Sequence, residues 1–297
     1  MRLLASQPIR IYGWVLQKLG LRFFWLSLLV VVSMTTVFVI LGIDFKSQLS
    51  TYFSLIVLAL AYMLFWFALA FLVNLWIGSS AKNAVSMLGL WVIFVLLVPS
   101  VLNQLGNALH PIPSRTLMIN EMREKKTEVA KRQDEILDNF LRDHPEYAIN
   151  DSTQTRNYWH RYMASQKLVK QELGPIVNSY ESQLSKQQEL VSDLKWFSPA
   201  LMMQESLNKM AGSSTSDFEY FRKQVVAFAD QWREHLMPFL YNNQEFTTGD
   251  YANLPSFKLE RPTFNFSTTL TALLLISLGL IGLGFSVARS TSKLIHS

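Results

Sequence analysis

The sequence predicts an all-α integral membrane protein: four transmembrane helices plus a mainly helical extracytoplasmic domain with a long helical hairpin. The first observation is where charge is missing. Only 16% of the residues are charged, against roughly a quarter in soluble domains, and none occurs in 23–43, 47–81, 83–114 or 262–288. Each window reaches the ~20 apolar residues that cross ~30 Å of hydrocarbon. The second observation is where charge collects. Residues 109–265 carry 19 basic and 21 acidic side chains, so the net +5 arises outside them, in short segments flanking the apolar runs. That distribution is a topology signal and not a nucleic-acid footprint, so no nucleic-acid partner is expected.

The first 22 residues form a cytoplasmic amphipathic segment. Arg2, Arg10, Lys18 and Arg22 are its charges, Pro8 suits a first helical turn, and Ile9, Tyr12, Leu16 and Leu19 share a face. A cleaved signal would carry a short basic stretch and a small-residue cleavage site, whereas here the apolar run continues to spanning length. Three transmembrane helices follow within 23–107, at about 23–43, 52–77 and 84–105, and Pro99 should kink or end the third. The fourth covers 266–288, with a tail at 289–297. Short-loop Lys and Arg place both termini and Lys82 on one side, the cytoplasm, and residues 108–265 outside. The expected location is a membrane, with the lipid bilayer itself a partner.

The 108–265 segment reads as helical. Met122, Val129, Ile136 and Phe140 recur on one face, and "HPEYAINDST" breaks the pattern. Leu173, Val177, Tyr180, Leu184, Gln187, Val191 and Leu194 then alternate by four and three, an a/d seam with one polar member. The seam either closes the chain's own coiled-coil hairpin or binds a partner, with Gly174-Pro175 kinking or beginning its helix. Two shorter helices follow, separated at Ala211-Gly212, the second capped by Ser216 or Asp217. The remainder, "EFTTGDYANLPSFKLERPTFNF", reads as an extended return.

Motifs for chemistry are few. "GLIGLG" lacks a preceding strand and a GK[ST], so Gly279, Gly282 and Gly284, with Ser286, read as helix-packing residues and not a phosphate loop. The histidines form no HxxxH or HExxH, cysteine is absent, and no metal site or cofactor is expected. "YWHRYM" (158–163) reads as an amphipathic helix burying Trp159 or Tyr162. No charged residue lies inside a span, so no ion-coupling site is expected there; Asn74 and Asn103 sit near span ends. No catalytic constellation stands out, and the chain is not expected to be an enzyme.

Two stretches carry a resemblance. Leu3, Leu4, Ser6, Gln7, Pro8, Ile9 and Lys18 fit a motif that follows the second span in permease subunits of the type-2 class of ABC exporters, with Arg10 one place earlier than the usual arginine. Ser198-Pro199-Ala200, Leu207-Asn208 and Ala211-Gly212 resemble the "SPA…LN-x-LAGT" stretch of a subfamily described only as a permease domain of unknown function. The resemblance implies a permease half, energised by a separate cytoplasmic ABC ATPase and paired with a second permease copy or paralogue. Such permeases have six spans, so the resemblance also implies that this chain holds the equivalents of the last four and lacks the first two. That the membrane is a bacterial cytoplasmic (inner) membrane is implied only by this family resemblance of residues 3–18 and 198–212. Ser6, Gln7, Pro8, Ile9, Arg10 and Tyr12 would then contact the ATPase as a coupling helix. The alternative is a non-transport membrane scaffold or receptor that uses its coiled-coil domain to bind a partner.

Overall fold

Asp44 sets the geometry of the first helical hairpin. The computed structural model describes residues 11–77, 79–147, 158–242, 244–261 and 266–295. In it α1 (Ile11–Ile40) ends where Gly42 turns to φ +62° and the Ile43 amide reaches back to the Phe38 carbonyl at 3.1 Å. The left-handed conformation at this position strongly favours glycine. Asp44 then caps α2 (Phe45–Trp76), its carboxylate accepting from the Lys46 amide at 3.0 Å. This cap starts α2 seven residues ahead of the span read from hydropathy. α1 likewise starts at Ile11, so the expected amphipathic segment and first span are one helix from there onward.

The other elements are α3 (Ser80–Val92), a π-helical turn (Ile93–Leu97), α4 (Val98–Leu109), α5 (Arg115–Lys131), α6 (Gln133–Asp143), α7 (Tyr158–Leu194), α8 (Pro199–Ala211), α9 (Thr215–Tyr241) and α10 (Ser267–Ile295). No strand occurs among the described residues. Among the described residues four helical runs are long and apolar enough to cross a membrane: Tyr12–Ile40, Phe45–Trp76, Ser80–Leu109 and Ser267–Arg289. The chain divides into two compact units.

The first unit comprises 1–103, 193–214 and 263–297. α2 is its axis. Phe23 meets Phe67 while Phe38 meets Phe45 and Tyr52, so α1 lies antiparallel along α2. The α2 residues Leu58, Ala61, Phe65, Leu69 and Val73 form a core with Leu273 of α10 and Met202 of α8. At Gly284 a Cβ would fall 2.8 Å from the Phe71 ring, which is why α10 needs glycine there. Phe71 and Phe285 then pack edge-on at 5.3 Å, with Tyr12 edge-on to Phe285 at 5.7 Å.

The second unit comprises 104–192 and 215–262. α7 is its axis, and partner positions run backwards along it. Gln187 donates to Asn107 and to the His110 carbonyl, Glu172 pairs with Lys125, and Arg161 pairs with Asp134. That antiparallel order makes the hairpin. On α9 the order repeats: Arg222 pairs with Glu181, Lys170 with Asp230, and the Tyr241 hydroxyl donates to the His160 carbonyl at 2.9 Å. The core holds Val129, Ile136, Leu137, Phe140, Ala164 and Tyr241. Gln224 holds the extended return, donating to the Glu260 carbonyl and accepting its amide at 2.8 and 2.9 Å.

Several details differ from the sequence reading. α7 does not begin at Gly174-Pro175: it starts at Tyr158 and runs on past Pro175, whose missing amide hydrogen leaves the carbonyl of Gln171, an exposed residue, without a helical partner. α9 begins at Thr215, which places Ser216 and Asp217 inside its first turn. At the start of α7 it is His160 that is buried, while Trp159 and Tyr162 stay outside at 59% and 38% exposure. His160, Ala164 and Leu168 recur every four residues on the face that meets α9, which leaves the larger aromatics pointing away.

Gly284→Leu should lower the thermal midpoint of the detergent-solubilised chain through an overpacking cost of about 1–3 kcal/mol. Gly279→Leu, where a Cβ meets nothing within 4 Å, should leave the midpoint nearly unchanged. Equal melting of the two variants would remove Gly284 from the α2–α10 contact.

Candidate functional site

The feature that ties the sequence motif to the apolar helices begins at a proline. Pro99 has no amide hydrogen, so a carbonyl one turn before it must lose its helical partner. The turn just upstream is π-helical, and the Val98 amide bonds to the Ile93 carbonyl, five residues back. In that register the Phe94 carbonyl would be served by the amide of residue 99, which does not exist. Pro99 therefore neither ends nor breaks the helical run; it leaves the Phe94 oxygen unserved by its own helix.

Ser198 supplies the missing donor. Its hydroxyl donates to the Phe94 carbonyl at 2.6 Å and, as the N-cap of α8, accepts from the Leu201 amide at 3.2 Å. The side chain is fully buried. Pro199 occupies the first helical position, where a missing amide costs nothing. At the other end Gly212 adopts φ +66°; its amide returns to the Lys209 carbonyl, and the Ser213 amide to that of Asn208. The Ser-Pro-Ala and Ala-Gly of the motif are thus the start and stop of one helix. Their chemistry is structural: cap, first turn and left-handed exit.

α8 belongs to the first compact unit, with α1, α2, α3 and α10, and not to the second, which holds 104–192 and 215–262. Met202 is completely buried, and Met203 and Met210 pack at the margin of the same core as Phe65, Phe94 and Leu270. Phe65 and Phe94 meet edge-on at 6.1 Å. The hydrophobic pattern did not mark this departure, because a thirteen-residue helix with a mixed face reads alike on either unit. The signals that pointed to it were Pro99 within an apolar run and the buried serine of the motif.

A charged trio joins α8 to the turn before it. Glu205 accepts from Lys195 at 2.9 Å and Lys209 at 2.6 Å. Burial pushes the Glu205 carboxyl up, but the hydrogen bonds and charges of Lys209 and Lys195 outweigh that and hold it below the ordinary 4.5. The trio fixes the 3-10 turn at Lys195–Phe197 to the body of α8.

Of the residues singled out for ATPase contact, Ser6, Gln7, Pro8, Ile9 and Arg10 lie outside the described residues. Tyr12 is in the first turn of α1, against Phe285. Among the helix-packing residues, Gly284 receives Phe71, a Cβ at Gly279 or Gly282 meets nothing within 4 Å, and the Ser286 hydroxyl donates to its own helix at the Gly282 carbonyl. Asn74 donates to the Ala70 carbonyl and accepts from Asn83 across the α2–α3 connection. Among the described residues no group of three His, Asp or Glu side chains is placed to hold a metal ion. No set of side chains in the site has the geometry of a nucleophile with its base. What the arrangement offers is mechanical: it attaches one helix firmly to three others.

A family model described as a domain of unknown function (DUF3526) matches residues 115–260. That match ends before α10 and includes α8 and the whole Ser198–Gly212 motif. No curated protein and no solved structure matches the chain.

The Glu205 carboxylate sets a pH dependence. A carboxyl held low in the folded chain adds stability above its ordinary pKa and loses it as pH falls through the depressed value. The wild type should therefore lose more stability than Glu205→Gln between about pH 5 and pH 3, measured by chemical denaturation in detergent. Parallel curves for the two proteins would show that the trio contributes nothing.

Proposed function

We propose that the chain is a transmembrane permease subunit of an ATP-driven ABC transporter of the type-2 exporter class, acting in export or mechanotransmission. The four apolar helices cross a bacterial inner membrane, both termini are cytoplasmic, and the unit built on α7 is extracytoplasmic. A separate ATPase hydrolyses ATP and acts on residues 6–12, and a second permease subunit completes the path. The resemblance at residues 3–18 and 198–212 supports this reading, as does the one-sided distribution of basic residues.

The observation that carries the proposal is the continuous packing that starts at Tyr12. Tyr12 meets Phe285, Phe285 meets Phe71, and the α2 helix that bears Phe71 packs its core against Met202 of α8. A displacement of the segment before α1 would reach α8 through side chains already in contact, without first closing a gap. Closely packed interiors pass on such displacement because they have little free volume. The energy for moving substrate would come from the partner, consistent with the absence of Asp, Glu, Lys and Arg from 23–43, 47–81, 83–114 and 262–288, which leaves no charged side chain there for ion coupling.

The test is affinity purification of the full chain from membranes of its native host, with the recovered P-loop ATPase identified and quantified. Wild type should retain an ATPase subunit in stable proportion. Arg10→Glu combined with Pro8→Ala should reduce its recovery at least about tenfold, as expected for an interface centre worth over 1.4 kcal/mol. Lys82→Glu, which changes a charge on the same proposed side, should not. Full recovery with the double variant would overturn the assignment of residues 6–12. Absence of any ATPase from wild type would overturn the permease reading in favour of a scaffold or receptor.

A further inference from the structure

We infer that the α1–α2 hairpin carries a binding site for an anionic phospholipid, with the headgroup phosphate on Arg22 and an acyl chain in the groove beside it. The inference rests on the membrane reading proposed above, but not on the ATPase partner. A groove of about 510 Å³ runs between the two helices, walled by Trp25 and Leu26 of α1 and by Trp66, Phe67 and Ala70 of α2, with Arg22 on its lining. Its volume is within the range of small-ligand sites, roughly 300–1,000 Å³, and its lining has their usual chemistry, aromatic and apolar with a single polar anchor.

Among the described residues no acidic side chain or hydrogen-bond acceptor engages Arg22. Asp44, at the far end of α2, is the sole acidic residue in α1, α2 and their connection. The nearby cation on the same helix is differently engaged, with the Lys18 ammonium 3.8 Å from the centre of the Trp14 ring. A guanidinium is suited to phosphate, which it binds through two parallel hydrogen bonds.

The placement matches a lipid and not a free anion. Arg22 is the last charge before the uncharged run 23–43, so it stands at the hydrocarbon boundary on the cytoplasmic side. From that point the groove continues toward Trp25 and Trp66, three residues into the run on α1 and well inside α2. A water-borne phosphate would use Arg22 and leave the aromatic walls unfilled. An anionic lipid satisfies both ends, and its uncompensated charge distinguishes it from a zwitterionic lipid, whose ammonium would face the arginine.

The experiment counts lipids retained by the full chain in micelles doped with dioleoyl phosphatidylglycerol or dioleoyl phosphatidylcholine, by native mass spectrometry. Wild type should retain phosphatidylglycerol over phosphatidylcholine about fivefold, the ratio for one basic residue at a membrane surface. Arg22→Gln should abolish that preference, and Lys82→Gln should keep it. Trp25→Ala, at a side chain already 60% exposed, should lower retention of both lipids. Excess glycerophosphoglycerol, the headgroup without chains, should displace neither lipid. Equal retention of the two lipids by wild type, or equal loss in Lys82→Gln, would overturn the site; displacement by the bare headgroup would assign Arg22 to a soluble phosphate ligand. Alkaline carbonate extraction of the same membranes keeps the premises apart: release of wild type from the membrane would refute the membrane reading itself.

Discussion

A carbonyl oxygen inside a helix bundle must find a hydrogen-bond donor, and the arrangement around α8 follows from that requirement at Phe94. Pro99 removes the donor its own helix would have supplied, and the π-helical turn before it shifts the neighbouring bond to Ile93. An amide-type acceptor left unmade in an apolar setting costs on the order of 1–3 kcal/mol. Ser198 removes that cost from another part of the chain, 104 residues away in sequence. Because the same hydroxyl also caps α8, placing the donor and starting the helix are one event. Met202 then enters the core of Phe65, Leu69 and Leu273 one turn further on.

This anchoring gives the first unit a composition that chain order alone conceals. Residues 193–214 leave the surroundings of their sequence neighbours and join helices from both ends of the chain. Other contacts of the unit are of a simpler kind, among them aromatic edges between α1 and α2, a glycine that admits Phe71, and the Tyr12–Phe285 contact. None needs an ionised group. The charged trio on α8 lies at the margin of this apolar packing, where Lys195 and Lys209 compensate Glu205 and the ion pairs remain partly open.

The long elements were legible in the sequence because each is governed by a single strong signal. Uncharged runs mark the four apolar helices, and the face shared by Val129, Ile136 and Phe140 marks the core of the second unit. Gln187, the polar residue in an otherwise apolar seam, proves to bridge the hairpin through Asn107 and the His110 carbonyl. Helix ends were less legible, since Asp44 and Thr215 move boundaries by amounts that hydropathy does not register. His160 escaped the reading because a large aromatic is a stronger burial signal than an imidazole. The face of α7 that meets α9 contains His160 with Ala164, and Tyr241 fills the space instead. The α8 anchor was visible only as fragments, a proline in one place and a Ser-Pro-Ala in another. Joining them depends on tertiary contact, which local patterns do not encode.

The central claim is that Ser198 stabilises the fold by serving the carbonyl that Pro99 leaves open. A double-mutant cycle on unfolding free energy in detergent measures it directly. Ser198→Ala should cost about 1–3 kcal/mol in the wild-type chain. In a Pro99→Ala background an amide at position 99, or at 98 if the turn relaxes to α-helix, can serve Phe94, so the same substitution should cost only its capping share, about 1 kcal/mol or less. A coupling of that sign supports the account. Equal costs of Ser198→Ala in the two backgrounds would contradict it.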